Sequence, residues 1–324
     1  MDRDLENQLW LENEYAKKHV HNLIIQELKG TPETYNMLCH AEDILLQWAQ
    51  SESNYDSKAA RKAALLDKYD LEDGFDLSPA VEHVVACVVR SGYTTLNNVA
   101  MMCLNLGGDD LSERQKMDLA CEVISMIADS DLYDIRKPNT LIMVKSCVVL
   151  SEALRDHIDH TTYIPPLVIP PKHVTHNSAT PYYSYMGESL ILGSKFNYHD
   201  EEICLDVVNT QNHVPLALSM DFMACYEEPE PDHVAKAAEK GKTLLPEELL
   251  MAKDNWAKYQ KQCKFFAHLL SRLGNRIYLG NKVDKRGRLY CSGYHVSPQG
   301  SSYRKAIVEL ADAEMVEVPS QYCI

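Results

Sequence analysis

No stretch of this sequence approaches the roughly 18 uninterrupted apolar residues of a membrane-spanning helix. The opening Met-Asp-Arg-Asp-Leu-Glu is charged where a secretory leader needs an apolar segment. A soluble, cytoplasmic protein with no membrane partner is therefore expected. The ten cysteines include no Cys-x-x-Cys pair, the usual chelate of structural zinc. Most of them lie inside apolar helical patterns and read as reduced core residues, so no metal or cofactor is expected in this chain alone. There is no Gly-x-x-x-x-Gly-Lys loop and no Gly-x-Ser-x-Gly elbow, which removes the common NTPase and hydrolase signatures. Positive charge is short as well. The 32 Lys and Arg face 47 Asp and Glu, a net charge of −15, whereas a phosphate-binding surface needs clustered cations.

The basic residues that are present are unevenly placed. Residues 253 to 305 carry twelve Lys and Arg against Asp254 and Asp284, a local net charge of +10. The rest of the 324 residues, with 20 basic and 45 acidic side chains, carries −25. A basic segment inside an acidic protein suits a polyanion or an acidic protein partner, and charge alone leaves both open. At 45% apolar residues the chain can bury the core of one large or two ordinary domains.

Hydrophobic spacing predicts a mainly α fold. Leu5, Leu9, Ala16, Val20 and Leu23 follow helical spacing to a stop at Gly30, and Thr31-Pro32 opens a second helix that ends near Trp48. Ser78-Pro79 starts a helix through Val81, Val84, Val85 and Val88 with Gly92 as its stop. Ser112-Glu113-Arg114-Gln115 is a capping box ahead of Met117, Ala120, Cys121, Ile124 and Ile127. A further helix is expected over 139 to 155. These segments form a helical N-terminal domain over residues 1 to 160. Pro165-Pro166-Leu167-Val168-Ile169-Pro170-Pro171 must be extended. It opens a connector over 161 to 243, in which loops and short strands around Tyr182, Tyr183 and Tyr185 lead to a helix over 201 to 223 and an acidic linker over 227 to 232.

Leu245-Pro246-Glu247-Glu248 begins a long helix over 244 to 276 with Gly274 near its end. Ala252, Trp256, Tyr259, Cys263, Phe266, Leu270 and Leu273 alternate four- and three-residue steps and form an apolar seam. Lys261, Lys264, His268 and Arg272 fall on roughly the opposite side, because an offset of two residues turns about 200°. Next, Asn281-Lys282-Val283-Asp284-Lys285-Arg286-Gly287-Arg288-Leu289-Tyr290 places a glycine between two arginines before a strand-forming run. Glycine lets a polyanion backbone come close, and guanidiniums make bidentate phosphate contacts that lysine does not reproduce. Asp284 is positioned to hold one arginine. Ser297-Pro298-Gln299-Gly300 supplies a turn, and Arg304-Lys305 lead into Ala306, Ile307, Val308 and Leu310. Residues 277 to 324 thus read as a small antiparallel β-hairpin presenting basic groups, with a tail.

Asp284-x-x-Gly287-Arg288, Tyr290, the Ser297-Pro298-Gln299-Gly300 turn and Lys305-Ala306-x-x-x-Leu310-Ala311, in that order and spacing, resemble the palm entrance of the single-subunit DNA-directed RNA polymerases of phages and mitochondria. Phe265-Phe266, Ile277-Tyr278 and the basic helix resemble the end of that family's thumb. The proline-bearing segment at 165 to 171, and Asn209-Thr210-Gln211-Asn212 within 205 to 220, are similar to the family's corresponding segment and the helix after it. The likeness spans residues 163 to 311 and is strongest over 277 to 311. Residues 1 to 160 carry no motif that aligns, and His173 stands about where the family usually has a tryptophan.

The resemblance implies roles residue by residue. Arg288 would contact the template strand or the RNA–DNA hybrid, with Gly287 permitting the approach and Asp284, Arg286, Tyr290, Gln299 and Gly300 completing the entrance. Lys305 and Arg304 would touch the product strand or incoming phosphates. Lys261, Lys264, His268 and Arg272 would be a thumb-like face wrapping the hybrid. The family's two metal aspartates, which hold Mg²⁺ for in-line nucleotidyl transfer, and its nucleotide-gripping fingers lie well beyond the matched stretch. Asp312, Glu314 and Glu317 fall too early to be the first metal carboxylate. No catalytic residue is therefore expected in this chain. The resemblance is to the smaller subunit of two-polypeptide phage RNA polymerases. A second polypeptide would supply the remaining palm, the fingers and the Mg²⁺, and Met315-Val316-Glu317-Val318 could pair with it as an edge strand. The heterodimer would use a DNA template and nucleoside triphosphates to make an RNA product in the host cytoplasm.

Two other classes suit parts of the sequence: a helical scaffold or adaptor that binds a protein through the seam over 246 to 273, and a stand-alone single-stranded nucleic-acid binder. Gly108-Asp109-Asp110 sits between helices rather than between strands, which disfavours a metal turn. His157-x-x-His160 and His173-x-x-His176 lack a nearby third ligand.

Overall fold

A computed structural model describes residues 3–72, 74–138, 140–184, 189–193, 199, 201–229 and 246–312. Tyr185, the end of the acidic linker, Leu245, Glu314, Glu317 and the strand expected over 315 to 318 lie outside the described residues. The chain divides into two compact units, Lys17–Ile158 and a second made of Met1–Ala16 with Asp159–Ile324. The first helix, α1 (Arg3–Glu14), therefore belongs with the second unit, and the apolar spacing that runs on from Leu9 to Leu23 is broken at Tyr15 and Ala16.

The first, helical unit contains α2 (Lys17–Lys29), α3 (Pro32–Gln50), α4 (Asp56–Lys68), α5 (Ser78–Ser91), α6 (Leu96–Met102), α7 (Glu113–Ile127) and the start of α8 (Glu152–His160). A minimal hairpin joins β1 (Asp70–Leu71) to β2 (Gly74–Phe75). Strands β3 (Tyr93–Thr95), β4 (Tyr133–Arg136) and β5 (Met143–Ser146) form an antiparallel sheet with β5 in the middle. Local signals set most boundaries. Thr31 caps α3 ahead of its first-turn proline, and Ser112 and Gln115 complete the reciprocal capping box of α7. At α5 the work of the cap is done two residues earlier than expected: Asp76 accepts from the Ser78 amide at 3.0 Å and from its hydroxyl at 2.6 Å. One continuous core fills the unit, with Ile24 and Leu28 of α2, Leu45 of α3, Val81, Val84, Val85 and Val88 of α5, and Leu119, Ile124 and Ile127 of α7. Each fully buried side chain of this kind contributes about 1.5–3 kcal/mol. The helix expected over 139 to 155 is corrected: Met143–Ser146 is the central strand and α8 begins only at Glu152. Val144 is β-branched, and Thr94 and Ile135 on the two neighbouring strands pair with it in the extended form.

The second, hairpin unit holds α1, the end of α8, α9 (Leu205–Asn212), α10 (Met220–Cys225), α11 (Pro246–Arg272) and α12 (Ser302–Ala306). Its strands are β6 (Leu216–Leu218), β7 (Asn281–Val283), β8 (Leu289–Cys291) and β9 (Val308–Leu310), paired antiparallel as β6 with β9 and β7 with β8. The single helix expected over 201 to 223 is corrected to helix, strand, helix, because Pro215 cannot donate within a helix and Leu216–Leu218 pairs with β9 instead. In place of one core the described residues form four small clusters. Backbone bridges run within three of them. Leu167 exchanges hydrogen bonds with Tyr278 at 3.0 and 2.8 Å, and Leu216 with Ile277 at 2.9 and 2.8 Å. Val283 donates to Leu190 and accepts from Leu192, both at 2.8 Å. The extended proline segment thus has a place: it is one of three distant stretches that brace residues 277 to 283.

Candidate nucleic-acid interface

The tip of the β7–β8 hairpin is organised around one carboxylate. Register pairs Asn281 with Cys291, Lys282 with Tyr290 and Val283 with Leu289, which leaves residues 284 to 288 to turn the chain. The Asp284 amide donates to the Arg288 carbonyl at 3.0 Å and the Gly287 amide to the Asp284 carbonyl at 2.9 Å. Asp284 Oδ1 accepts from the amides of Arg286 and Arg288 at 2.9 and 3.0 Å. Oδ2 accepts from Arg288 Nε at 2.7 Å and lies 2.6 Å from its Nη2. The Arg288 amide above all, then its guanidinium and the Arg286 amide, hold the Asp284 carboxyl well below the usual carboxylate range, against a smaller desolvation effect. Gly287 has φ +80° with open space where a Cβ would stand, so backbone conformation rather than crowding requires glycine there. The Arg288 guanidinium also lies 5.7 Å from the Tyr290 ring centre. Its side chain is 53% exposed, and that of Arg286, 3.6 Å from Asp284, is 74% exposed.

The long helix α11 separates its faces as the spacing predicts. Tyr259, Phe266 and Leu270 are buried, and Lys261, Lys264, His268 and Arg272 are exposed. Lys264 makes an ion pair with Glu227 at 3.2 Å, of the exposed kind that contributes little. The seam is filled from within the unit: Phe266 meets Tyr15 at 5.3 Å and stacks on His295 at 4.8 Å between ring centres. Its buried positions are therefore not open to a protein partner. Burial first, then His160 and Arg304, pushes His295 down to about 4, so the ring packs in its neutral form.

Arg304 is engaged within its own unit. Rather than reaching outward, its side chain is 23% exposed and lies 3.3 Å from Glu228, while it donates to the Tyr294 carbonyl at 3.2 Å and to the Tyr259 hydroxyl. Its guanidinium sits 4.7 Å from the Tyr259 ring centre. It joins α11 to the segment after the hairpin. Gln299 is internal bracing too: Oε1 accepts from the Cys291 amide at 3.0 Å and Nε2 donates to the Leu289 carbonyl at 3.3 Å. Gly300 precedes Ser301, the cap of α12, and Lys305 is exposed on that short helix. Asp312 is engaged by Arg276 through two bonds of 2.7 and 2.9 Å.

Several positioning residues carry no sequence signal of their own. Buried Glu12 accepts from the Tyr183 amide at 2.8 Å, the Ser184 hydroxyl at 2.8 Å and the Ser184 amide. Gln8 donates to Glu12 at 2.8 Å and accepts from the Val168 amide at 2.7 Å. Asn209 pairs with both the amide and the carbonyl of Val174, at 2.8 and 2.9 Å. Asn212 accepts from the Asn281 amide at 2.8 Å. Asn275 in the same way grips Leu218 at 3.0 and 2.9 Å. The motif Asn209-Thr210-Gln211-Asn212 was the one hint, since two amides three residues apart share a helix face.

Neither the protein-family models nor the curated proteins contain a match to this chain. Among the described residues no helix is long and apolar enough to cross a membrane.

Proposed function

We propose that this chain is the template- and hybrid-holding subunit of a phage-type DNA-directed RNA polymerase whose catalytic aspartates, fingers and Mg²⁺ reside on a second polypeptide. The observation that carries the reading is the Asp284-centred tip. One carboxylate folds the turn and fixes the rotamer of Arg288, while Lys285 and Arg286 project beside it from a hairpin braced by three other stretches of chain. A guanidinium held in this way meets phosphate with little ordering cost. The exposed Lys261, Lys264, His268 and Arg272 add a second set of cations on the same unit. Phosphates on the hybrid would be gripped by charge and hydrogen bonding, and bond formation would occur on the partner.

The C-terminal half of the α11 seam, Phe266 to Leu273, is packed inside its own unit, which disfavours an adaptor that docks a protein there. The direct test is co-purification with the product of the neighbouring reading frame, followed by templated RNA synthesis. RNA made by the pair and by neither chain alone supports the reading. RNA made by this chain alone, or none by any pair under conditions where the two chains associate, defeats it.

A further inference from the structure

We propose that His21, His83 and Cys87 form a zinc-binding site inside the helical unit. The site is separate from the hairpin interface and independent of the polymerase reading. His21 comes from α2; His83 and Cys87 come from α5, four residues apart and hence on one helical face. One donor atom from each of the three lies within 4.8 Å of the other two. Ligands bonded tetrahedrally to Zn²⁺ at about 2.0–2.3 Å stand roughly 3.3–3.8 Å apart, so side-chain adjustment on the order of 1 Å closes the set.

Each ligand carries its own indication. His21 Nε2 is buried with no hydrogen-bond partner, an uncommon state for a buried polar atom and one that a metal bond would relieve. The His21 and His83 rings face each other with their centres 5.8 Å apart. His83 Nε2 lies 3.2 Å from the Met102 carbonyl oxygen. If Nε2 donates there, Nδ1 keeps its lone pair, the way metal-bound imidazoles are commonly oriented. Cys87 is 1% exposed. Its thiol lies one helical turn beyond His83 on the same face of α5.

Two imidazoles and one thiolate are borderline-soft donors, which selects Zn²⁺ over Mg²⁺ or Ca²⁺. Arg90 and Lys17 oppose a dication, and the single thiolate only partly offsets them, so the affinity should fall below that of multi-thiolate sites. A fourth position is left for water. Because the ligands lie on two helices packed in one core, the ion would staple α2 to α5 and stabilise the folded form by mass action.

The test uses the full-length protein, stripped with chelator and titrated with Co²⁺ and then Zn²⁺. The expected result is one equivalent of Co²⁺ with a thiolate-to-cobalt charge-transfer band, displaced by Zn²⁺, and a Tm that rises with Zn²⁺. Cys87→Ser should lose the band, and Cys39→Ser, at an exposed thiol, should keep it. His21→Asn, at a half-buried residue with no hydrogen bond to lose, should retain the helical circular dichroism and bind at least about tenfold more weakly; it carries the test if Cys87→Ser does not fold. No stoichiometric Co²⁺ uptake by the wild type, a band that survives in folded Cys87→Ser, or equal affinity in His21→Asn overturns the proposal.

Discussion

Asp284 and Arg288 illustrate how a charged pair acts as a positioning device at the surface, with the guanidinium exposed and the carboxylate half-buried. Their mutual attraction contributes little to folding in water, but it decides where the guanidinium points. Arg288→Ala should lower RNA synthesis by the assembled pair at least about tenfold, with association between the chains unchanged. Arg288→Lys should be nearly as damaging, since an ammonium cannot bridge a carboxylate and a phosphate in one plane. Retained activity in both would remove Arg288 from the mechanism. A sharper discriminator is Asp284→Asn, which makes the tip more positive while removing the acceptor that folds it. If geometry matters more than charge count, hybrid affinity falls; a rise would reduce Asp284 to a neutralising charge. The depressed Asp284 pKa gives the pH sign. Its contribution to tip order is complete above the unfolded carboxylate value near ~3.9 and disappears as pH falls through the lower folded value. This local constellation was legible in the sequence because every partner lies within six residues. The fate of Arg304 was not: Tyr259 and Glu228 are 45 and 76 residues away.

Among the elements, α1 has a role that its amphipathic pattern does not reveal. Its buried Gln8 and Glu12 bind Val168, Tyr183 and Ser184 of the proline and tyrosine segments. Burial alone would raise the Glu12 pKa, yet the Tyr183 and Ser184 amides bring it below the ordinary value. Glu12→Gln should therefore cost about 1–3 kcal/mol near neutral pH, with faster amide exchange at Tyr183 and Ser184. Glu12 stabilises fully above its unfolded pKa of about 4.3, and that contribution is lost as pH falls through the folded value. Wild type and variant should accordingly converge in acid; a gap that widens there would contradict the assignment. Helix starts at Thr31 and Ser112 could be read because caps are satisfied within one turn. The strand Met143–Ser146 could not, since its short pattern suits either state and only β3 and β4 decide between them.

For the molecule as a whole, the distribution of charge matters more than its sum. An acidic body of −25 that carries a +10 segment should bind nucleic acid with an affinity that falls steeply with salt, because each phosphate contact releases condensed counterions. Lys261→Ala and Lys264→Ala should each lower the salt slope of hybrid binding by about one. An unchanged slope would make the α11 stripe an ordinary solvated face. The two units differ in construction: one continuous core holds the helical unit, whereas small clusters and backbone bridges hold the hairpin unit. What the amino-acid order determined by itself was the helical class, the caps, the two-faced α11 and the Asp284 turn, all set by neighbours within a few residues, where spacing and side-chain chemistry suffice. Tertiary structure alone decided that α1 joins the distant half of the chain, that Arg304 turns inward, that asparagine amides stand in for strand partners and that His21 meets His83 and Cys87. These outcomes depend on which distant groups compete for the same donors and acceptors, and that competition is settled only when the units fold.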